Sequence, residues 1–139
     1  MQNVNYTAAF VSERNMRQLQ YIAAKHGQRL AKTPARPHIT LAYRPADGQI
    51  HEELFGKKIV CRLVGYGNDG LNEGFYVAFD GGDKRLVELF SSITTPHITL
   101  SFAEESRPVK TGFLDFKPLA TVDQLVFEAE FGAFYGCKR

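Results

Sequence analysis

The sequence predicts an α+β domain built from two similar lobes related by a pseudo-twofold axis. Antiparallel sheets are expected to line a central cleft, with the helices outside. Three observations predict this. The pentapeptide PHITL occurs twice, at residues 37–41 and 96–100, its histidines 59 residues apart. Each copy follows a short β-rich segment and a stretch whose apolar residues recur at helical spacing. Each copy also precedes a loop and another β-rich run. Strand, helix, strand, strand in duplicate is a layered α+β pattern.

The elements follow in order. YTAAF at 6–10 and FYVAF at 75–79 read as the opening strands. In the first helical stretch, SERNMRQLQYIAAKHG, the residues Met16, Leu19, Ile22 and Ala23 share a face; in the second, GGDKRLVELFSSI, Leu86, Leu89, Phe90 and Ile93 do. Ser12 and Asp83 are the expected N-caps, since their side-chain oxygens can accept from free first-turn amides. A proline then leads each half into PHITL. After the first copy come the loop RPADGQIHEELFG and the run KKIVCRLVGYG; after the second, AEESRPVKTGFLDFKPLA and TVDQLVFEAEFGAFYG. NDGLNEG at 68–74 reads as the turn joining the halves. The chain is thus expected to be one domain over 1–139, with lobes at about 1–70 and 71–139.

Composition bounds the function. Hydrophobic residues form 44% of the 139, enough for a core without disulfides or metals. The formal charge of +2 provides no field of the kind that clamps duplex DNA, but suits a small anionic ligand. Cys61 and Cys137 form no CxxC pair and read as reduced thiols. The first residues lack a signal-peptide pattern, and no run approaches the ~20 apolar residues of a membrane span. A cytoplasmic, monomeric protein is expected.

Strand side chains alternate between faces. Ile39, Leu41 and Tyr43 are expected to face the core with Ile98, Leu100 and Phe102. His38, Thr40 and Ala42 would share the cleft with His97, Thr99 and Ser101. On the opening strands, Tyr6, Ala8 and Phe10 align with Phe75, Val77 and Phe79 as core. Thr7, Ala9 and Val11 align with Tyr76, Ala78 and Asp80 as cleft, where Tyr76 could stack on a base. One His-x-Thr in a strand is ordinarily structural. Two identical copies within flanks that have diverged are not, because histidine and threonine are not interchangeable fillers.

Two histidines across a cleft form an acid–base pair, because an unperturbed imidazole titrates at about 6.5. Neutral, it takes a proton from a nucleophile; protonated, it gives one to a leaving group. Two hydroxyls on the same row can donate to the non-bridging oxygens of a phosphodiester between them. No carboxylate or cysteine accompanies the histidines on that row, so neither metal nor cofactor is expected.

These residues resemble the two-histidine (2H) phosphoesterase superfamily, whose signature is two H-x-[T/S]-x motifs, one per lobe of a duplicated α+β fold. The motifs here are His38-Ile39-Thr40-Leu41 and His97-Ile98-Thr99-Leu100. The resemblance spans nearly the whole chain. The length and NDGLNEG look most like stand-alone relatives of the cyclic phosphodiesterase domain of fungal-type tRNA ligases. The resemblance implies His38 and His97 as the catalytic pair and Thr40 and Thr99 as phosphate ligands. It implies a metal-independent phosphodiesterase for 2′,3′-cyclic phosphate ends of RNA or nucleotides. Two alternatives stand beside it. One is cleavage of 2′–5′ or cyclic oligonucleotide messengers of antiviral defence; the other is a nucleotide-binding module without catalysis.

Further candidates for substrate binding are Tyr76, Ser101 and Arg36, the last with Lys32 as a neighbouring loop charge. Arg62, Tyr66, Glu128 and Glu130 are candidates for the cleft flanks. His26 and His51 have no threonine partner and read as structural. FEAEFGAFY reads as a core-facing strand, and Tyr43 and Phe102 face the core unless a bulge turns them.

Overall fold

The computed structural model describes residues 3–136, so Cys137 lies outside the described residues. Seven strands and two α-helices, with four short 3-10 turns among the described residues, form a mixed α+β fold. The strands are β1 (Val4–Val11), β2 (His38–Tyr43), β3 (Lys58–Asn68), β4 (Asn72–Gly82), β5 (His97–Phe102), β6 (Lys117–Pro118) and β7 (Val126–Tyr135). The helices are α1 (Glu13–Ala24) and α2 (Lys84–Ser91). One sheet runs β2-β1-β7-β3-β4-β5, with β6 pairing to β3, and every pairing is antiparallel. Its end strands, β2 and β5, come into contact, so the sheet nearly closes like a barrel. In place of two sheets divided at residue 70 there is one: β3 lies beside β4, and β7 lies beside β1.

Both helices start where the sequence places them. The Ser12 side chain accepts from the Asn15 amide, and Asp83 accepts from the Arg85 and Leu86 amides. Leu19, Ile22 and Ala23 of α1, and Leu86 and Phe90 of α2, enter the same core as Ala9, Val11, Ile39, Cys61, Phe75, Val77, Ile98, Phe127 and Phe131. The β3–β4 hairpin closes through Asp69-Gly70-Leu71. Gly70 takes a left-handed φ of 85°, and the Asp69 carboxylate accepts from the Leu71 and Asn72 amides. Among the described residues no helix is long and apolar enough to cross a membrane. Cys61 is buried and free, and burial pushes its thiol up to about 12, which keeps it unreactive.

The strand faces correct two expectations. Ala9 and Val11 are in the core, whereas Tyr6 and Phe10 pack against His38 on the opposite face. Register explains the inversion. Phe10 pairs with His38, and Tyr76 pairs with His97. Phe10 therefore corresponds to Tyr76, not to Phe79 or Phe75, and a one-residue slip in alignment exchanges every face.

The second correction lies inside the motifs. Pairing jumps from Thr40 to Ala42 opposite Ala8 and Thr7, leaving Leu41 as an extra residue. It jumps likewise from Thr99 to Ser101 opposite Gly74 and Glu73, leaving Leu100 extra. Each is a β-bulge, and beyond it the strand presents the other face. Ala42 and Ser101 turn toward the core side, and Tyr43 and Phe102 turn toward the histidine side.

Candidate active site

His38 and His97 open β2 and β5, the two strands that meet. Both rings are half-buried, and both are held the same way. The His38 Nδ1 lies 2.7 Å from the Arg36 carbonyl oxygen, and the His97 Nδ1 lies 2.8 Å from that of Thr95. A carbonyl only accepts, so Nδ1–H is the donor in each ring. Nε2 is left as the lone pair of a neutral imidazole or as the free N–H of a protonated one. Burial lowers the pKa of both rings, against the opposing pull of these carbonyls. His38 is lowered further by the charge of His97 and by that of Arg36.

The two surroundings differ. The Tyr6 ring stacks on His38, with centroids 4.6 Å apart and planes at 22°, and Phe10 packs at 5.7 Å. The Arg36 guanidinium covers Phe10 at 4.4 Å from the ring centre, so Arg36 reaches the His38 side both by its carbonyl and by its charge. His97 is enclosed by the segment after β5. A Cβ on Gly112 would lie 3.1 Å from its Cε1, so only glycine lets this backbone close on the ring undisturbed. Tyr76 stands opposite His97 on β4, on the same face, packed against Phe116.

The threonines also differ. Thr40 has no hydrogen-bond partner among the described residues and is free to donate to a ligand. Thr99 is 9% exposed, and its hydroxyl lies 3.0 Å from the Pro108 carbonyl oxygen and 2.9 Å from the Thr111 hydroxyl. A hydroxyl has one proton. With it donated to Pro108, Thr99 is an acceptor toward Thr111, and Asn72 Nδ2 donates to Thr111 and to the Arg107 carbonyl. Here Thr99 holds the 108–113 segment in place.

Other candidates resolve as follows. Ser101 is fully buried. Its hydroxyl donates to Glu73 at 2.6 Å and accepts from the Leu30 amide, so it is not offered to a ligand. The bulge at Leu100 is the reason. Tyr66 is in the core, donating to the same Glu73 carboxylate. Arg62 shares the histidine face through its pairing with Ala78 but is tied to Asp80 and Gln124. Glu130 pairs with Phe10 and so shares that face, as does Glu128 two residues before it. His26 is engaged with Asp123 at 3.1 Å, and His51 lies 3.9 Å from Glu53, away from the pair. Two cavities, of about 610 Å³ beside His51, Glu53 and Arg85 and about 120 Å³ beside Arg29 and Glu73, are lined by neither motif histidine. No three His, Cys, Asp or Glu side chains converge as metal ligands among the described residues.

Sequence reasoning missed Tyr6, Phe10, Tyr43, Thr111 and Gly112 as neighbours of the site. The first two were legible in principle, because one aromatic residue stands opposite each histidine once the strands are in register. No protein-family model matches the chain, and no curated protein matches it in sequence.

Proposed function

We propose that the chain is a phosphodiesterase of the two-histidine type, which hydrolyses 2′,3′-cyclic phosphate ends of RNA or nucleotides without a metal. The observation that carries this reading is the shared histidine geometry. Two imidazoles, each oriented by an Nδ1–H bond to the carbonyl two residues upstream, keep Nε2 free on strands that meet. One Nε2 takes a proton from water as it attacks phosphorus; the other gives a proton to the departing ribose oxygen. Two features support descent from a duplicated unit with a pseudo-twofold axis. The order β2-β1-β7-β3-β4-β5 reads the same from both ends in strand type, and both motifs bulge at the residue after threonine. Assay of 2′,3′-cyclic nucleotides and RNA ends, 2′–5′ oligoadenylate and cyclic dinucleotides tests the reading. Cleavage of cyclic dinucleotides alone would move the substrate to signalling molecules. Tight binding with no product after long incubation would make the protein a binding module.

The pKa shifts fix the direction of the pH response. Both histidines are held below the ordinary 6.5, and catalysis needs one proton on the pair. The kcat/KM optimum is therefore expected on the acid side of 6.5. For stability, the unfolded chain binds these protons at higher pH than the folded one. The stabilising contribution of the neutral rings is full above 6.5 and declines as pH falls toward the folded pKa values. A pH–rate profile with thermal melts over the same range checks both; an optimum above pH 7.5 contradicts the pairing.

The threonines are expected to separate by variant. Thr40→Val removes a free donor to a charged phosphate, which is worth about 1.5–3 kcal/mol, and should lower kcat/KM about tenfold to a hundredfold without changing the melting temperature. Thr99→Val strips a buried hydroxyl network and should lower the melting temperature as well. Kinetics and calorimetry on the two variants are the check.

A further inference from the structure

The bulge at Leu41 does more than turn Ala42 away from the histidine face. It turns Tyr43 onto the histidine face, directly opposite Tyr6, which in turn stands opposite Phe134. Tyr6 stacks at once on His38 and on Phe134, the latter with centroids 5.2 Å apart and planes at 15°. An aromatic row thus crosses three strands beside the catalytic pair. Its two outer rings stay in solvent, Tyr43 at 66% exposure and Phe134 at 44%. Single exposed aromatics are commonplace, but two flanking a stacked third in one cross-strand row beside a proposed catalytic histidine are not explained by packing.

Charge accompanies the row. The Arg44 guanidinium lies over the Tyr43 ring at 5.4 Å, and that of Arg36 lies over Phe10. Arg44 adopts a left-handed φ of 49°, with its amide bound to the Asn5 carbonyl at 2.7 Å. A non-glycine residue in that region is uncommon, and the bond to Asn5 fixes the backbone there. Rings with free faces and guanidinium groups beside them are the elements by which proteins hold single-stranded nucleic acid, through base stacking and phosphate contact. No salt bridge occupies Arg36 or Arg44 among the described residues.

We infer that Tyr43, Phe134 and Arg44 form a second subsite, which holds the base and phosphate of the nucleotide adjoining the scissile phosphodiester. The substrate is then a single-stranded oligonucleotide of two or more nucleosides, not a mononucleotide. This rests on the phosphodiesterase reading for the position of the scissile bond.

The test has a kinetic arm and a binding arm. In the first, kcat/KM is measured for a 2′,3′-cyclic mononucleotide and for an RNA tetranucleotide ending in the same cyclic phosphate. The wild-type protein is expected to prefer the tetranucleotide, and Tyr43→Ala to reduce that preference about tenfold. Equal use of both substrates by the wild type, or an undiminished preference in the variant, overturns the subsite. In the second arm, a fluorescent RNA tetranucleotide is titrated into His97→Ala protein, with and without a further Tyr43→Ala or Arg44→Asn. Asparagine tolerates the left-handed backbone and removes the guanidinium, its charge and its cover of Tyr43. Tyr43→Ala is expected to weaken binding about tenfold, and Arg44→Asn to reduce the slope of log K against log salt by about 0.7. Binding that responds this way, when the wild-type protein hydrolyses none of the substrates, retains the subsite and overturns the catalytic reading. Binding indifferent to both residues overturns the subsite even where hydrolysis is observed.

Discussion

Alanine at His38 or at His97 is expected to abolish hydrolysis, each alone lowering kcat by a factor of about 10²–10⁴, the range supplied by general acid–base catalysis. The pair acts as a unit, so the double variant should fall little below either single one. The reason lies in the placement of the free Nε2 atoms. With Nδ1–H committed to the Arg36 and Thr95 carbonyls, each ring has one nitrogen for chemistry, while His26 and His51 stand beside Asp123 and Glu53. The two variants should differ in stability. His38→Ala leaves Tyr6 and Phe10 without the ring they pack on, and His97→Ala leaves space beneath Gly112. Both stay within the folded range, because neither ring belongs to the core cluster beneath the sheet. Turnover of a cyclic-phosphate substrate, followed beside near-UV circular dichroism, decides the matter. A folded single variant that keeps more than about a tenth of the activity would falsify the acid–base assignment.

The sequence made the site legible where chemistry repeats and obscured it where geometry departs from strict alternation. His-x-Thr read at period two put His38 with Thr40 and His97 with Thr99 on one face of their strands, and the register agrees: His38 and Thr40 pair with Phe10 and Ala8, His97 and Thr99 with Tyr76 and Gly74. Alternation failed one residue later, at Leu41 and Leu100. A bulge depends on hydrogen bonding between two strands and leaves no mark in the composition of either. Ser101 was consequently sought at the site and lies under the sheet against Glu73, while Tyr43 makes the opposite journey.

The opening strands failed for a related reason. YTAAFV carries apolar residues on both faces, so burial alone could not choose between Tyr6/Phe10 and Ala9/Val11 as the core row. Fold class and helix caps needed no such choice. Ser12 and Asp83 act through local bonds to nearby amides, and the helices follow from their own periodicity. The sheet order needed information from distant pairs, because β7 inserts between β1 and β3 although it is last in the chain.

A large effect on stability is expected from Gly74→Ala, and it bears directly on how the His97 side is built. Gly74 stands opposite Thr99 at the bulge. A Cβ there would lie within bonding-clash range of the Ile98 carbonyl oxygen and of Thr111 Cγ2. The first obstacle is backbone of the adjoining strand and the second is the anchor of the 108–113 segment, so neither can move without opening the β4–β5 pairing or releasing that segment. Gly65 and Gly67 on β3 are similarly covered, by Phe116 and Leu114. Three small residues on adjacent strands thus let the chain after β5 lie flat across the sheet, which is what delivers Thr111 to Thr99 and Gly112 to His97. Overpacking commonly costs 1–3 kcal/mol, and with backbone as the obstacle roughly 3 kcal/mol or more is expected. Denaturant unfolding of Gly74→Ala measures this. Gly48→Ala, with open space around its Cβ, is the control and should change little. Activity in surviving folded Gly74→Ala protein should also fall, since Thr99 and the cover of His97 share the displaced segment. Wild-type stability in Gly74→Ala would mean that the 108–113 segment does not lie against β4, and the enclosure of His97 would have to be redrawn.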